Sequence, residues 1–100
     1  MRELVFTPEA GTDFRTAFRW YEQRRAGVGL QFETAFDYAL DRVRATPLAS
    51  KSVTERFRCV VLRRFPYSIF FTFDDKRVTI VAVWHTRQDP DKLLQRLRPT

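Results

Sequence analysis

The feature of this sequence that most constrains its fold is a change in hydrophobic period near residue 55. Before that point, apolar residues recur every three or four positions, as on one face of an α-helix; after it they alternate, as along a β-strand. Helices followed by strands in a chain of 100 residues predict an α+β domain with one core and no deep enclosed cavity. We therefore expect residues 1–100 to form a single domain.

Two helices are predicted in the first half of the chain. Thr7 is a candidate N-cap, Pro8 suits the first helical position, and an apolar stripe follows at helical spacing. Gly27 and Gly29 are predicted to stop this helix in a tight turn. A second stripe over residues 30–45 predicts another helix, and the short connection indicates an antiparallel hairpin.

The second half predicts strands around a polar loop and a terminal helix. The strands are expected at residues 3–7, 56–62, 67–73 and 77–84, the loop at 46–55, and the helix at 90–97 with Leu93, Leu94 and Leu97 on its apolar side. The last strand is predicted to be central, with Val78, Ile80, Ala82 and Trp84 on one face and Thr79, Val81 and Val83 on the other. The expected order is β-α-α-β-β-β(-α), a two-helix hairpin packed on a small, mostly antiparallel sheet.

The charge is concentrated in the second half. The chain carries a net charge of +6; residues 1–50 hold seven Arg and seven acidic residues, whereas residues 51–100 hold eleven basic and five acidic residues. A local excess of this kind predicts contact with nucleic acid or with an acidic protein, the alternative being a basic surface kept for solubility. The candidate target-binding or anion-binding residues are Lys51, Arg56, Arg58, Arg63, Arg64 and Arg87.

Composition and motifs exclude several other classes of protein. One cysteine, Cys59, cannot form a disulfide framework within the chain, and the N-terminal residues lack the apolar run of a signal peptide. No stretch approaches a membrane span. One His and one Cys do not make a typical zinc site, and the three glycines do not form a phosphate loop. We therefore expect a cytoplasmic protein without metal or cofactor.

Three segments, in order, cover nearly the whole chain and resemble one family. They are FRWYEQR at residues 18–24, followed by Gly27, Gly29 and Phe32; VLRRFPYSIFF at residues 61–71; and VAVWHTRQDP at residues 81–90. Together they resemble the ParE/RelE superfamily of toxins from bacterial type II toxin–antitoxin systems, also called plasmid stabilisation proteins, and are nearer to ParE.

The resemblance implies a toxin that arrests growth and forms a hetero-oligomer with a cognate antitoxin, small and usually acidic, that wraps it in extended and helical segments. ParE-type toxins poison DNA gyrase, whereas RelE-type toxins cut messenger RNA on the ribosome. Three hypotheses follow: a gyrase poison that is not an enzyme, a ribosome-dependent endoribonuclease, and a degenerate fold that only binds its antitoxin.

A nuclease would need an acid, a base and cations around one phosphate. The candidates are His85, Arg63, Arg58 and Arg87, with Glu55 the nearest acid on the sheet side. The sequence departs from active RelE-type ribonucleases, many of which use strand lysines: no lysine lies on any strand, Thr86 rather than a tyrosine follows His85, and residues 93–100 contain neither His nor Tyr. His85 can equally be a strand-end residue that hydrogen-bonds a neighbouring loop. The basic face is therefore interpreted first as a binding surface and second as an active site.

Overall fold

Three helices and a five-stranded mixed sheet make up residues 2–98, the part of the chain that the computed structural model describes. The elements are β1 (Glu3–Phe6), α1 (Pro8–Arg24), α2 (Val28–Ala45), a 3-10 turn (Pro47–Ala49), β2 (Lys51–Ser52), β3 (Arg58–Val61), β4 (Tyr67–Phe73), β5 (Arg77–His85) and α3 (Pro90–Arg96). The sheet order is β1-β5-β4-β3-β2, and only β1 and β5 pair in parallel. The predicted α+β fold with a mostly antiparallel sheet is confirmed.

The start of α1 follows directly from two residues. The Thr7 hydroxyl accepts a hydrogen bond from the Ala10 N–H at 3.2 Å, and Pro8 occupies the first helical position, where a missing N–H is harmless. The stripe behind these residues brings Ala10 and Ala17 into full burial. The N-cap prediction is therefore confirmed.

The turn between α1 and α2 differs from the prediction. Gly27 adopts a φ of +93° just before α2, but Gly29 lies inside that helix, so the prediction that Gly29 stops α1 was wrong. Its role is close approach: a Cβ at this position would lie 2.8 Å from Glu22 Oε1 and 3.0 Å from the Phe18 carbonyl oxygen. Glycine here lets the backbone of α2 pass directly beside α1.

The helix hairpin covers one face of the sheet and forms the main core with it. Phe32 and Val43 from α2 are fully buried against Ile69 and Phe71 of β4 and Ile80 of β5. Aromatic contacts continue this core towards the turn after β3. The ring centroids of Phe32 and Phe65 lie 5.3 Å apart, edge to face.

The opposite face of the sheet carries a second, smaller core under α3. It consists of Phe57, Phe70, Ala82, Trp84 and Leu97, all buried. Leu93 packs against this cluster, but Leu94 is 56% exposed, so its predicted place on the apolar side of the helix was wrong. Leu93 lies on the seven-residue helix α3 and Leu97 caps its end four positions later, which leaves room for one narrow contact line.

A β-bulge in β5 corrects the predicted face assignment of that strand. Phe70 pairs with Ala82 and Phe71 pairs with Ile80, so Val81 is an extra residue in the ladder. Beyond it the alternation changes phase: Val83 belongs to the main core, whereas Ala82 and Trp84 belong to the second core. The prediction of one unbroken alternation from Val78 to Trp84 was wrong, because an inserted residue reverses every later side chain.

The predicted polar loop at residues 46–55 contains the 3-10 turn and β2. Both residues of β2 are exposed, so no apolar alternation marks them. Lys51 pairs with Cys59 there, and the statement that no strand carries a lysine was therefore wrong. Within residues 2–98, no helix is long and apolar enough to cross a membrane.

Candidate functional site

The six candidate cations form two main groups that lie at different ends of β3. Arg63 and Arg64 occupy the turn after β3. Lys51 lies on β2, Arg56 in the loop that follows it, and Arg58 at the start of β3. The Arg58 guanidinium donates a hydrogen bond to the Ser50 carbonyl oxygen at 2.6 Å, which turns it towards β2. A strand that rises about 3.3 Å per residue separates the two groups. The sixth cation, Arg87, follows β5.

The turn after β3 forms one wall of a groove of about 280 Å³, which we call the α2 groove. Arg63, Arg64 and Phe65 line one side, and Ala35 and Tyr38 of α2 line the other. The Arg63 guanidinium lies 5.0 Å from the centroid of the Tyr38 ring, whose side chain is about half exposed. This arrangement places a cation on an open aromatic ring.

Arg64 has a strained backbone within this turn. Its φ of +69° is in the left-handed region, which costs a residue other than glycine about 1 kcal/mol or more. Backbone hydrogen bonds hold the turn on both sides: the Leu62 N–H donates to the Tyr67 carbonyl at 2.9 Å and the Thr86 N–H donates to the Pro66 carbonyl at 2.9 Å. The two arginines are therefore presented on a fixed turn.

An open strand edge continues the α2 groove. β2 pairs only with Arg58 and Cys59, so no strand among residues 2–98 covers that side of Val60 and Val61. Val61 is 63% exposed, and a second depression of about 220 Å³ runs from it to the end of α2. The α2 groove and this edge together form one long, largely apolar surface.

A third depression, which we call the α1 groove, lies on the other side of the turn. It measures about 270 Å³ and is lined by Thr16, Trp20 and Tyr21 of α1 and by Tyr67 and His85 at the ends of β4 and β5. Trp20 is 48% exposed. The Arg24 guanidinium lies 4.1 Å from the centroid of the indole ring, one helical turn further along α1.

His85 is held by the turn that follows it. Its Nδ1 accepts a hydrogen bond from the Arg87 N–H at 2.9 Å, and its own N–H donates to Gln88 Oε1 at 3.1 Å. The sequence left open whether His85 hydrogen-bonds a neighbouring loop. These two hydrogen bonds show that it does. Because Nδ1 is an acceptor, the neutral ring carries its proton on Nε2. Burial, with a smaller contribution from Tyr21, raises the pKa of the adjacent Tyr67 hydroxyl, which therefore stays protonated at neutral pH.

Of the four nuclease candidates, only His85 and Arg87 are neighbours, joined by the hydrogen bond from the Arg87 N–H to His85 Nδ1. His85 lines the α1 groove, Arg63 lines the α2 groove, and Arg58 lies towards β2. Glu55 stands in the exposed loop between β2 and β3, at the far end of the sheet from His85. Among the described residues, no cluster of His, Cys, Asp and Glu could hold a metal ion.

Comparison with known proteins settles the family. A family model described as the ParE toxin of the type II toxin–antitoxin system, parDE, matches residues 4–90. The chain belongs to the ParE toxin family. The matched segment includes the α2 groove and the α1 groove and ends where α3 begins, so ParE similarity covers both surfaces.

Ten chains from solved structures are similar to this ParE toxin. One of them comes from a structure titled "Chromosomal ParDE TA system from P. aeruginosa". It is 18% identical in sequence with a TM-score of 0.72, and the match covers 85% of this chain and 96% of that chain. At this identity the likeness shows the shared fold. No curated protein matches the sequence.

Two contacts between an arginine and an aromatic ring at these grooves were not predicted from the sequence, although Arg63 itself was a candidate cation. Trp20 and Arg24 are four residues apart on α1, so their contact was readable from helical spacing. Tyr38 and Arg63 come from different elements, and nothing in the sequence indicates that they meet.

Proposed function

We propose that this ParE toxin arrests bacterial growth by poisoning DNA gyrase in the cytoplasm, and that a cognate antitoxin neutralises it in a hetero-oligomer. Membership of the ParE family supports the role of toxin. The similar structure from P. aeruginosa is titled as a ParDE system, which supports an antitoxin as partner.

The separation of His85 from the arginines of the β3–β4 turn carries the choice of a binding toxin over a nuclease. Cleavage of a phosphodiester needs a base, an acid and a cation within hydrogen-bond reach of one phosphate. Here His85 and Arg63 line different grooves, and Nδ1 of His85 already accepts a backbone N–H. The arrangement favours binding through aromatic rings and arginines rather than proton transfer.

The α2 groove and the adjoining edge of β3 are the proposed antitoxin surface. An extended segment can add to the open edge at Val60 and Val61 by main-chain hydrogen bonds, and an amphipathic helix can occupy the apolar groove beside Tyr38. Arg63 and Arg64, which line the same groove, can then donate hydrogen bonds to carboxylates of an acidic partner.

Two assays with the purified toxin test this proposal side by side. We expect inhibition of plasmid supercoiling by DNA gyrase, with cleaved plasmid trapped in the reaction, and no effect in coupled translation beyond that of a buffer control. Codon-positioned cuts in the messenger RNA of the second assay, with supercoiling unaffected, would show a RelE-type nuclease instead. A chain that affects neither assay and leaves growth unchanged when expressed alone would be a degenerate fold that only binds its antitoxin.

A further inference from the structure

The described surface presents two exposed aromatic rings that each carry an arginine: Tyr38 with Arg63, and Trp20 with Arg24. The first pair lies in the α2 groove. We propose that the second pair marks the target-binding surface, and that the α1 groove takes a carboxylate-bearing segment of the target protein. This inference rests on the proposed function, in which target binding causes growth arrest.

The composition of the α1 groove is that of a binding hot spot. Trp, Tyr and Arg dominate the few interface residues that contribute most of the binding free energy. Trp20 leaves 48% of its surface exposed, and its ring contacts in the fold are an edge-to-face contact with Tyr21 and the Arg24 guanidinium. An exposed indole provides a large apolar contact area for a partner.

The acids around the groove are occupied by internal contacts. Asp13 accepts hydrogen bonds from the Val83 N–H and from Arg96, Glu22 accepts from the N–H groups of Gly27 and Gly29, and Asp89 accepts from the Asp91 N–H. Within residues 2–98, neither Arg24 nor Arg87 forms an ion pair.

The Arg24 guanidinium on the Trp20 ring and the Nε2–H of His85, which lines the groove, are therefore donors without a matching carboxylate. That charge pattern is complementary to an acidic segment.

The dimensions of the groove favour a protein segment over nucleic acid. A space of about 270 Å³ admits one or two side chains. Binding of a duplex depends instead on several cations that follow the phosphate backbone. The residues that line the α1 groove include no lysine or arginine, and five of the six candidate cations lie in the α2 groove or near β2.

The two grooves are physically separate. An aromatic wall lies between them, in which Phe65 contacts Tyr21 at 5.0 Å and Phe32 at 5.3 Å between ring centroids. Substitutions on the α1 side can therefore alter target binding and leave the α2 side unchanged. This separation makes a matched pair of variants possible.

Trp20→Ala and Tyr38→Ala are that pair, since each removes an exposed ring that carries an arginine. For Trp20→Ala we expect the toxin concentration that half-inhibits gyrase supercoiling to rise about tenfold or more, and growth arrest to be lost. Tyr38→Ala should stay within about twofold of the original toxin. Thermal unfolding midpoints of both variants, compared with the original chain, show that each is folded.

The variant His85→Gln distinguishes a hydrogen-bond donor at this position from an acid–base catalyst. The Gln amide can present an N–H near the position of Nε2 but cannot act as an acid or base at neutral pH. We expect His85→Gln to arrest growth more strongly than His85→Ala. Equal loss in both variants, or full growth arrest by Trp20→Ala, would overturn the assignment of this groove.

Growth arrest does not depend on which target is correct, so the two proposals can fail separately. If the toxin leaves gyrase unaffected while Trp20→Ala still abolishes growth arrest, the gyrase proposal fails and the α1 groove remains the target surface. A labelled short DNA duplex is the second probe. Salt-sensitive binding of that duplex which Trp20→Ala removes would make the occupant nucleic acid and overturn the protein segment.

Discussion

Glu22 replaces the cap that α2 lacks. The residue before that helix is Gly27, which has no side chain, and the first turn of α2 contains no acid. The Glu22 carboxylate reaches across from α1 and accepts the N–H groups of Gly27 and Gly29, each at 2.9 Å. It thereby meets the positive end of the helix and satisfies two of its free donors.

The surroundings of Asp37, in contrast, disfavour the charged form of its carboxyl. Partial burial of its carboxyl raises its pKa above the ordinary 3.8, and Glu33 and Asp41, one turn away on either side, raise it further. The folded chain therefore holds this proton more tightly than the unfolded chain does. The contribution to stability is fully present below pH 3.8 and is lost as the pH rises through the raised pKa.

Asp37→Asn should therefore stabilise the protein at neutral pH. Because most of the side chain is exposed and solvent screens its charge, we expect a gain of only about 0.3 kcal/mol in the free energy of unfolding. Urea denaturation at pH 7 and at pH 3 measures it. The gain should shrink at pH 3, where the native carboxyl is protonated, and an equal gain at both values would mean that charge is not its cause.

At the scale of elements, the close crossing of α1 and α2 depends on one of two helical glycines. A Cβ at Gly29 would meet Glu22 and the Phe18 carbonyl oxygen, which is backbone and cannot move alone. A Cβ at Gly11 would meet the Arg15 guanidinium at 3.2 Å, the far end of a flexible side chain. The same substitution should therefore have opposite effects at the two positions.

Gly29→Ala is expected to lower the free energy of unfolding by about 2 kcal/mol, because the helices must separate. Gly11→Ala should raise it by roughly 0.5 kcal/mol, because alanine is the better residue inside a helix. Chemical denaturation of the two variants beside the original chain gives both values. Destabilisation by both variants to the same extent would contradict the close-approach role of Gly29.

The sequence predicted the elements better than their details. β4 was predicted with its observed bounds, since its alternating residues lie between a proline and two aspartates. β2 escaped prediction because both its residues are exposed, and its pairing depends on where Arg58 and Cys59 lie in space. The bulge at Val81 was also hidden, because an inserted valine in an apolar strand looks like its neighbours.

For the site, the sequence predicted the residue types but not that the cations lie in separate groups. Arg58 and Arg63 are near in sequence, yet β3 points them to different ends, and that direction follows from pairing with β4. The importance of Trp20 was obscured because a tryptophan on an amphipathic helix usually packs inward. Its exposure becomes visible only when the position of α1 over β5 is known.

At the scale of the whole molecule, the charge of +6 should govern how an acidic antitoxin associates. We expect the affinity for the protein encoded beside this toxin to weaken by roughly tenfold between about 0.05 M and 0.5 M salt, as the Debye length falls. Calorimetric titration at several salt concentrations measures it. A flat affinity would mean that the cations of the second half do not contribute to the complex.

The parallel pairing of β1 with β5 has a consequence for synthesis of the chain. Residues 3–6 find their partners at residues 77–80, and β5 is also the strand on which α1 packs. Contacts so distant in sequence slow folding. During translation, residues 77–80 emerge from the ribosome long after residues 3–6. The sheet therefore lacks an interior strand until residue 85 has left the ribosome, and the α1 groove, which includes His85, is incomplete until then. The proposed target surface therefore forms only after β5 has been made, later than α1, α2 and β4.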